Sequence, residues 1–79
     1  MEIKVLGTGC PNCKKTKAIV AEAIAELHVD SKLTEVTDIG DILSYGVMST
    51  PALVINGEVV MSGGVPRKAQ VIEMIQAAA

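Results

Sequence analysis

Apolar and polar positions divide the chain into seven segments. Ile3-Lys4-Val5-Leu6 alternates in part and predicts a short strand, closed by Gly7-Thr8-Gly9. From about Pro11 to Leu27, the residues Ile19, Val20, Ala23, Ile24 and Leu27 form a wide apolar stripe at helical spacing. After a turn around Val29-Asp30, Lys32-Leu33-Thr34-Glu35-Val36 alternates with the period of a second strand. Thr37 or Asp38 can cap a short helix running to about Tyr45, and Gly46 suits the left-handed position that ends it. Ala52–Ile55 reads as a buried strand. Asn56-Gly57 then marks a tight hairpin, because both positions favour the positive φ of a type I′ turn. Glu58–Ser62 is the returning strand. Gly63-Gly64 breaks it, and Pro66 fits the first turn of a last helix containing Ala69, Ile72 and Ile75.

The predicted order is β-α-β-α-β-β-α. Strands joined through a helix lie parallel by a right-handed crossover, so the first pair is parallel and the last is an antiparallel hairpin. The expected fold is α/β, a four-stranded mixed sheet covered by three helices. No linker or repeat interrupts it, and residues 1–79 are expected to form one domain. A chain this short buries only ~60% of its extended surface, which predicts modest stability. Half the residues are apolar (49%), and with no Phe or Trp and a single Tyr the core must be aliphatic.

Charge narrows the function. The net charge is -2 and the sequence pI about 5.2, with neither a basic face nor aromatic stacking platforms, which argues against nucleic acid as a partner. The longest apolar runs fall far below the ~20 residues of a membrane-spanning helix. Met1-Glu2-Ile3-Lys4 lacks the basic start and apolar run of a signal peptide, so a cytoplasmic location is expected.

The two cysteines stand three apart, in Cys10-Pro11-Asn12-Cys13. In a reducing compartment such a pair is redox-active or metal-binding, not a structural staple. With Pro11 at the first helical position, Cys10 falls at the N-cap and Cys13 at the third helical residue. A sulfur at the N-cap faces unpaired backbone N–H groups and the positive end of the helix dipole, and both favour thiolate. A free thiol of pKa ~8.5 is only a few per cent ionised near neutrality, whereas such surroundings lower it to ~3.5–7.5. Cys10 is thus the expected nucleophile and Cys13 the resolving thiol. Lys14, Lys15 and Lys17 crowd the start of the helix while Glu22 and Glu26 lie toward its end, against the dipole preference. These lysines either help hold an anion at Cys10 or form a solvated basic patch.

The strand–Cys-x-x-Cys–helix opening resembles thioredoxins and glutaredoxins. The stretch Tyr45-Gly46-Val47-Met48-Ser49-Thr50-Pro51-Ala52-Leu53-Val54-Ile55-Asn56-Gly57-Glu58-Val59 is similar to the region around their cis-proline. The Gly7-Thr8-Gly9-Cys10-Pro11-Asn12-Cys13 opening resembles that of small redox-active disulfide proteins of the thioredoxin-like superfamily. The resemblance implies a thioredoxin-like fold and a thiol–disulfide oxidoreductase that needs no cofactor beyond its dithiol. It also implies a cis Thr50–Pro51 bond beside the dithiol, with the residue before the proline offering backbone groups to an extended peptide. Thr50, Pro51, Pro11 and Asn12 are then the expected substrate-binding residues, while Lys14 and Lys15, from their place at the helix start alone, are the candidates for tuning the thiol. A monomer recycled by a separate reductase is expected.

Three departures from the pattern matter. Thr8-Gly9 stands where thioredoxins carry a tryptophan, and the first strand offers no obvious buried acid to take the proton of Cys13. Gly63-Gly64 resembles the glycine pair of glutaredoxins, but Val65-Pro66 replaces the acidic residue that follows it. Protein disulfides are therefore expected as substrates rather than glutathione.

Two other classes stay open on sequence. The Gly-x-x-Cys-x-x-Cys loop also resembles heavy-metal-associated domains, and two thiolates suit a soft ion such as copper(I). Those domains run β-α-β-β-α-β, and a closed zinc site would need four ligands that this chain cannot supply alone, because His28 lies at the far end of the first helix. A non-enzymatic interaction module is the third possibility. Of the remaining residues, His28 is expected at a helix end, Tyr45 at the end of the second helix with its hydroxyl near water, and Met48 and Met61 as gap-filling core.

Overall fold

A computed structural model describes residues 1–78. Its elements are β1 (Glu2–Leu6), α1 (Pro11–Leu27), β2 (Lys32–Val36), α2 (Ile39–Ser44), β3 (Ala52–Ile55), β4 (Glu58–Ser62) and α3 (Lys68–Ala78). The order matches the one predicted. The sheet runs β2-β1-β3-β4, with β1 parallel to β2 and antiparallel to β3, and β3 antiparallel to β4. This is a mixed sheet with three helices, a thioredoxin-like arrangement.

Alternation along β1 separates two apolar layers. Ile3 and Val5 face α1 and α3, where they pack with Val20, Ala23, Leu53, Ile55, Val71 and Ile75. Leu6 points the other way, to Ile42 of α2 and to Val47, Ala52 and Val54. β3 lies inside the sheet and is buried along its whole length, which explains its unbroken apolar run. The hairpin closes as predicted, with Asn56 at φ 51° and Gly57 at φ 83°. Val60 interrupts the β3–β4 register, since Leu53 opposes Met61 while Val54 opposes Val59.

Helix ends follow local chemistry. Of the two caps proposed for α2, Asp38 is the one used: its carboxylate accepts the Asp41 N–H at 3.1 Å. Tyr45 follows the helix, with Gly46 beyond it at φ 77°. His28 ends α1 in the left-handed region (φ 52°), where the His28 N–H donates to the Ala25 carbonyl and the Val29 N–H to that of Ile24. Its imidazole is exposed.

Two expectations need correction. Pro66 is not in the first turn of α3 but two residues before it, buried. Arg67 takes the capping position instead: its N–H donates to Gln70 Oε1 at 2.9 Å, and its carbonyl accepts from Val71 N–H at 3.1 Å. The buried stripe of α3 is accordingly Val71 and Ile75, while Ala69 faces water. Met48 is not core at all, being 96% exposed, whereas Met61 does pack against the core as expected.

Tyr45 is half-buried, and its hydroxyl accepts a hydrogen bond from Lys4 Nζ at 3.0 Å. That bond, with Glu2 at 3.3 Å, holds the Lys4 ammonium above the ordinary lysine range. No described helix is long and apolar enough to cross a membrane.

Candidate active site

Both loops that carry candidate chemistry converge on one end of the sheet. Leu6, the last residue of β1, pairs with Ala52, the first of β3. Gly7–Cys13 leaves the sheet just after Leu6, and Thr50-Pro51 enters it just before Ala52. Register alone therefore places the Cys-x-x-Cys segment and the proline at the same edge of the molecule.

Cys10 is the N-cap of α1, with extended backbone (φ -66°, ψ 162°), and Pro11 is the first helical residue. Cys10 Sγ accepts the Cys13 N–H at 3.2 Å, so the sulfur takes the capping role that a serine or aspartate oxygen usually fills. The helix closes behind it through Lys14 N–H to the Cys10 carbonyl at 3.0 Å. The two cysteines form a disulfide across Cα atoms 5.0 Å apart. Their exposure differs: Cys10 is half-buried, while Cys13 is only 5% exposed.

Gly7 makes the seating of Cys13 possible. A Cβ on Gly7 would lie 2.9 Å from Cys13 Cβ and closer still to its sulfur. The residue that follows β1 has to be bare backbone so that the second cysteine can lie against it. In the sequence Gly7 reads as the end of a strand and as part of the Gly-x-Gly-Cys-x-x-Cys opening; its contact with Cys13 shows only in the fold.

The other proposed residues are placed as follows. Pro11 and Asn12 are exposed between the cysteines. The Thr50–Pro51 bond is cis, with Thr50 exposed and Pro51 buried. The Pro51 carbonyl accepts the Gly63 N–H at 2.8 Å, which fixes the loop after β4 beside the proline. Lys14 and Lys15 are exposed and make no ion pair among the described residues, whereas Lys17 is drawn to Glu35 of β2 at 3.3 Å. No acidic residue occupies the first turn of α1. The positive end of that helix is therefore not neutralised by its own side chains.

One feature of the site was not read from the sequence. A groove of about 190 Å³ runs from Thr8 and Thr50 along α2, floored by Ile42 and Val47 and walled by Ile39, Leu43 and Met48. The walls are large apolar side chains left in water: Ile39 is 63% exposed and Leu43 59%. Ile39, Leu43 and Met48 were legible as apolar residues, but their common face depends on how α2 sits against the proline loop.

The soft-metal alternative gains nothing from the fold. Among the described residues, no further His, Cys, Asp or Glu joins the two sulfurs to make a ligand set, and the element order is not that of the metal-carrying domains. Comparison with known proteins agrees. A sequence profile of the thioredoxin domain matches residues 1–76. A thioredoxin from Methanothermobacter thermautotrophicus is 31% identical over 75 residues, covering 95% of this chain and 97% of that protein. Another, from Methanocaldococcus jannaschii, is 32% identical over 74 residues, covering 94% and 85%. With its fold, its disulfide and both relatives in agreement, the chain belongs to the thioredoxin domain family, and its chemistry is that of a thiol–disulfide oxidoreductase.

Proposed function

We propose that the protein reduces disulfides in other proteins, with Cys10 as the attacking thiolate and Cys13 as the resolving thiol. The observation that carries this reading is the asymmetry of the two sulfurs. Cys10 is the more accessible and caps a helix N-terminus, where N–H groups and the dipole favour the anion. Cys13 is buried against Gly7, out of reach of an outside disulfide yet within bonding reach of Cys10.

The reaction has two exchanges. The Cys10 thiolate attacks one sulfur of the substrate disulfide, and the other sulfur leaves as thiolate. Cys13 then attacks Cys10, closing the intramolecular disulfide and releasing the second substrate sulfur. Lys14 and Lys15 support the Cys10 anion through their field, weakened by exposure to water.

Substrate contact is assigned to Pro11 and Asn12 on one side and to Thr50 and Pro51 on the other. An extended peptide lying along Thr50 presents its cysteine to Cys10, and a neighbouring apolar side chain enters the groove between Thr8 and α2. Residues 1–79 act as one thioredoxin-like domain, as a monomer in the cytoplasm, recycled by a separate reductase and without a cofactor. Glutathione is not assigned as substrate, because Val65-Pro66 follows the Gly63-Gly64 pair.

The test is a pair of serine variants assayed on a disulfide-bonded protein substrate. Cys10→Ser is expected to abolish reduction. Cys13→Ser is expected to accumulate a covalent mixed disulfide, seen by mass as the sum of both chains. Trapping through Cys13 in the Cys10→Ser variant instead would reverse the two roles.

A further inference from the structure

For Cys13 to attack Cys10 it must act as a thiolate while buried, and burial without a polar partner disfavours that anion. A carboxylate beneath the pair would be one solution. All nine Asp and Glu residues of this chain are exposed, so none serves. The contact shown beneath Cys13 is the bare backbone of Gly7, just past the end of β1, and the side chains that β1 buries on the helix side, Ile3 and Val5, are apolar.

The buried stripe of α1 runs Cys13, Thr16, Val20, Ala23. Thr16 is fully buried, and it is the one buried polar residue among those described. Its hydroxyl donates to the Asn12 carbonyl at 2.8 Å, the backbone group between the two cysteines. Packing alone does not call for it, since a valine of the same shape would fill the space without burying a hydroxyl. Residues three apart on a helix are neighbours, ~5–6 Å between Cβ atoms, and threonine in a helix divides between two χ1 positions.

We infer that the Thr16 hydroxyl is the hydrogen-bond donor that stabilises the Cys13 sulfur during resolution of the mixed disulfide, an inference that rests on the roles assigned above. With the disulfide closed, the hydroxyl bonds Asn12 O. With Cys13 reduced, it turns to the sulfur. The Cys13 thiolate attacks Cys10 Sγ, the Cys10–Cys13 bond forms and the Cys10–substrate bond breaks. The electron pair of that broken bond leaves on the substrate sulfur, which takes up through solvent the proton that Cys13 gave up. Thr16 donates a hydrogen bond and keeps its own proton.

The experiment mixes reduced wild type, Thr16→Val and Thr16→Ser with dithiobis(nitrobenzoate) and follows the coloured thiolate by stopped flow. The attack by Cys10 releases one equivalent; resolution by Cys13 releases a second. Thr16→Val is expected to leave the first phase unchanged and slow the second about tenfold, the order of a lost hydrogen bond to a charged group, with Thr16→Ser close to wild type. The unchanged first phase also reports that the variant is folded. An unchanged second phase in Thr16→Val, or equal slowing in Thr16→Ser, would overturn the inference. Release of only one equivalent by the wild type would remove the resolving role of Cys13 itself, and this inference with it.

Discussion

Gly7 carries a constraint that its backbone angle does not explain. It needs no left-handed conformation; it needs to have no side chain, because the Cys13 sulfur occupies the space that a Cβ would take. Its N–H is also committed, donating to the Val36 carbonyl at 2.9 Å, so the strand cannot simply move aside. Gly7→Ala is therefore expected to destabilise the oxidised protein by about 1–3 kcal/mol, the range for overpacking a filled site. Urea unfolding with the disulfide intact measures it, and a change within error would show that the dithiol loop gives way easily. Cys10 and Cys13 were legible from spacing alone, because a helix N-terminus beginning at Pro11 dictates which sulfur caps and which lies a turn deeper. Gly7 was legible as punctuation and as part of the opening motif, but not as the seat of Cys13, since that role depends on a sulfur six residues along the chain folding back onto it. Met48 misled for a related reason: an apolar residue between a glycine and a proline carries no periodicity that says which way it faces.

α2 has six residues, too short to be stable as a helix by itself. It is held by the Asp38 cap and by Ile42, which packs with Leu6, Val47, Ala52 and Val54. Its other apolar residues, Ile39 and Leu43, are not spent on that core and form the groove wall with Met48. Leu43→Gln with Met48→Gln is expected to raise KM for a protein disulfide about tenfold, the order of one apolar side chain left unburied. Reaction with a small disulfide should be unaffected. Equal loss on both substrates would mean that the pair disturbs the dithiol rather than a docking surface. Periodicity located α1, α2 and all four strands closely, because each has either a clean apolar pattern or a strong end signal. It misplaced the start of α3, where Pro66 supplied a helix-start signal but Arg67 and Gln70 made the cap.

At the scale of the molecule, strand order does what no single motif does. β1 lies inside the sheet between β2 and β3, so the loop leaving it meets the loop entering β3. The β-α-β-α-β-β-α order was legible, and with it the parallel β1–β2 pair and the antiparallel β3–β4 hairpin, but not the antiparallel β1–β3 pair that joins them. That the proline and the cysteines share an edge follows only from the Leu6–Ala52 register, which the sequence implies through family resemblance and not through pattern. Cation–carboxylate pairs tie the layers together at the surface: Lys17 of α1 to Glu35 of β2, and Lys68 of α3 to Glu26 of α1. The second pair holds the Lys68 ammonium above its ordinary range through its hydrogen bond to Glu26. None of these surface pairs touches the dithiol, and in water such pairs contribute little to stability.

The proposed chemistry requires Cys10 and Cys13 to be a reversible two-electron couple. The most direct measurement equilibrates the protein in thiol–disulfide buffers of graded potential, alkylates the free thiols and counts them by mass. One cooperative step between no free thiol and two is expected, with a midpoint in the span of known dithiol enzymes, ~-270 to -120 mV. A protein that formed no intramolecular disulfide in any buffer would contradict it.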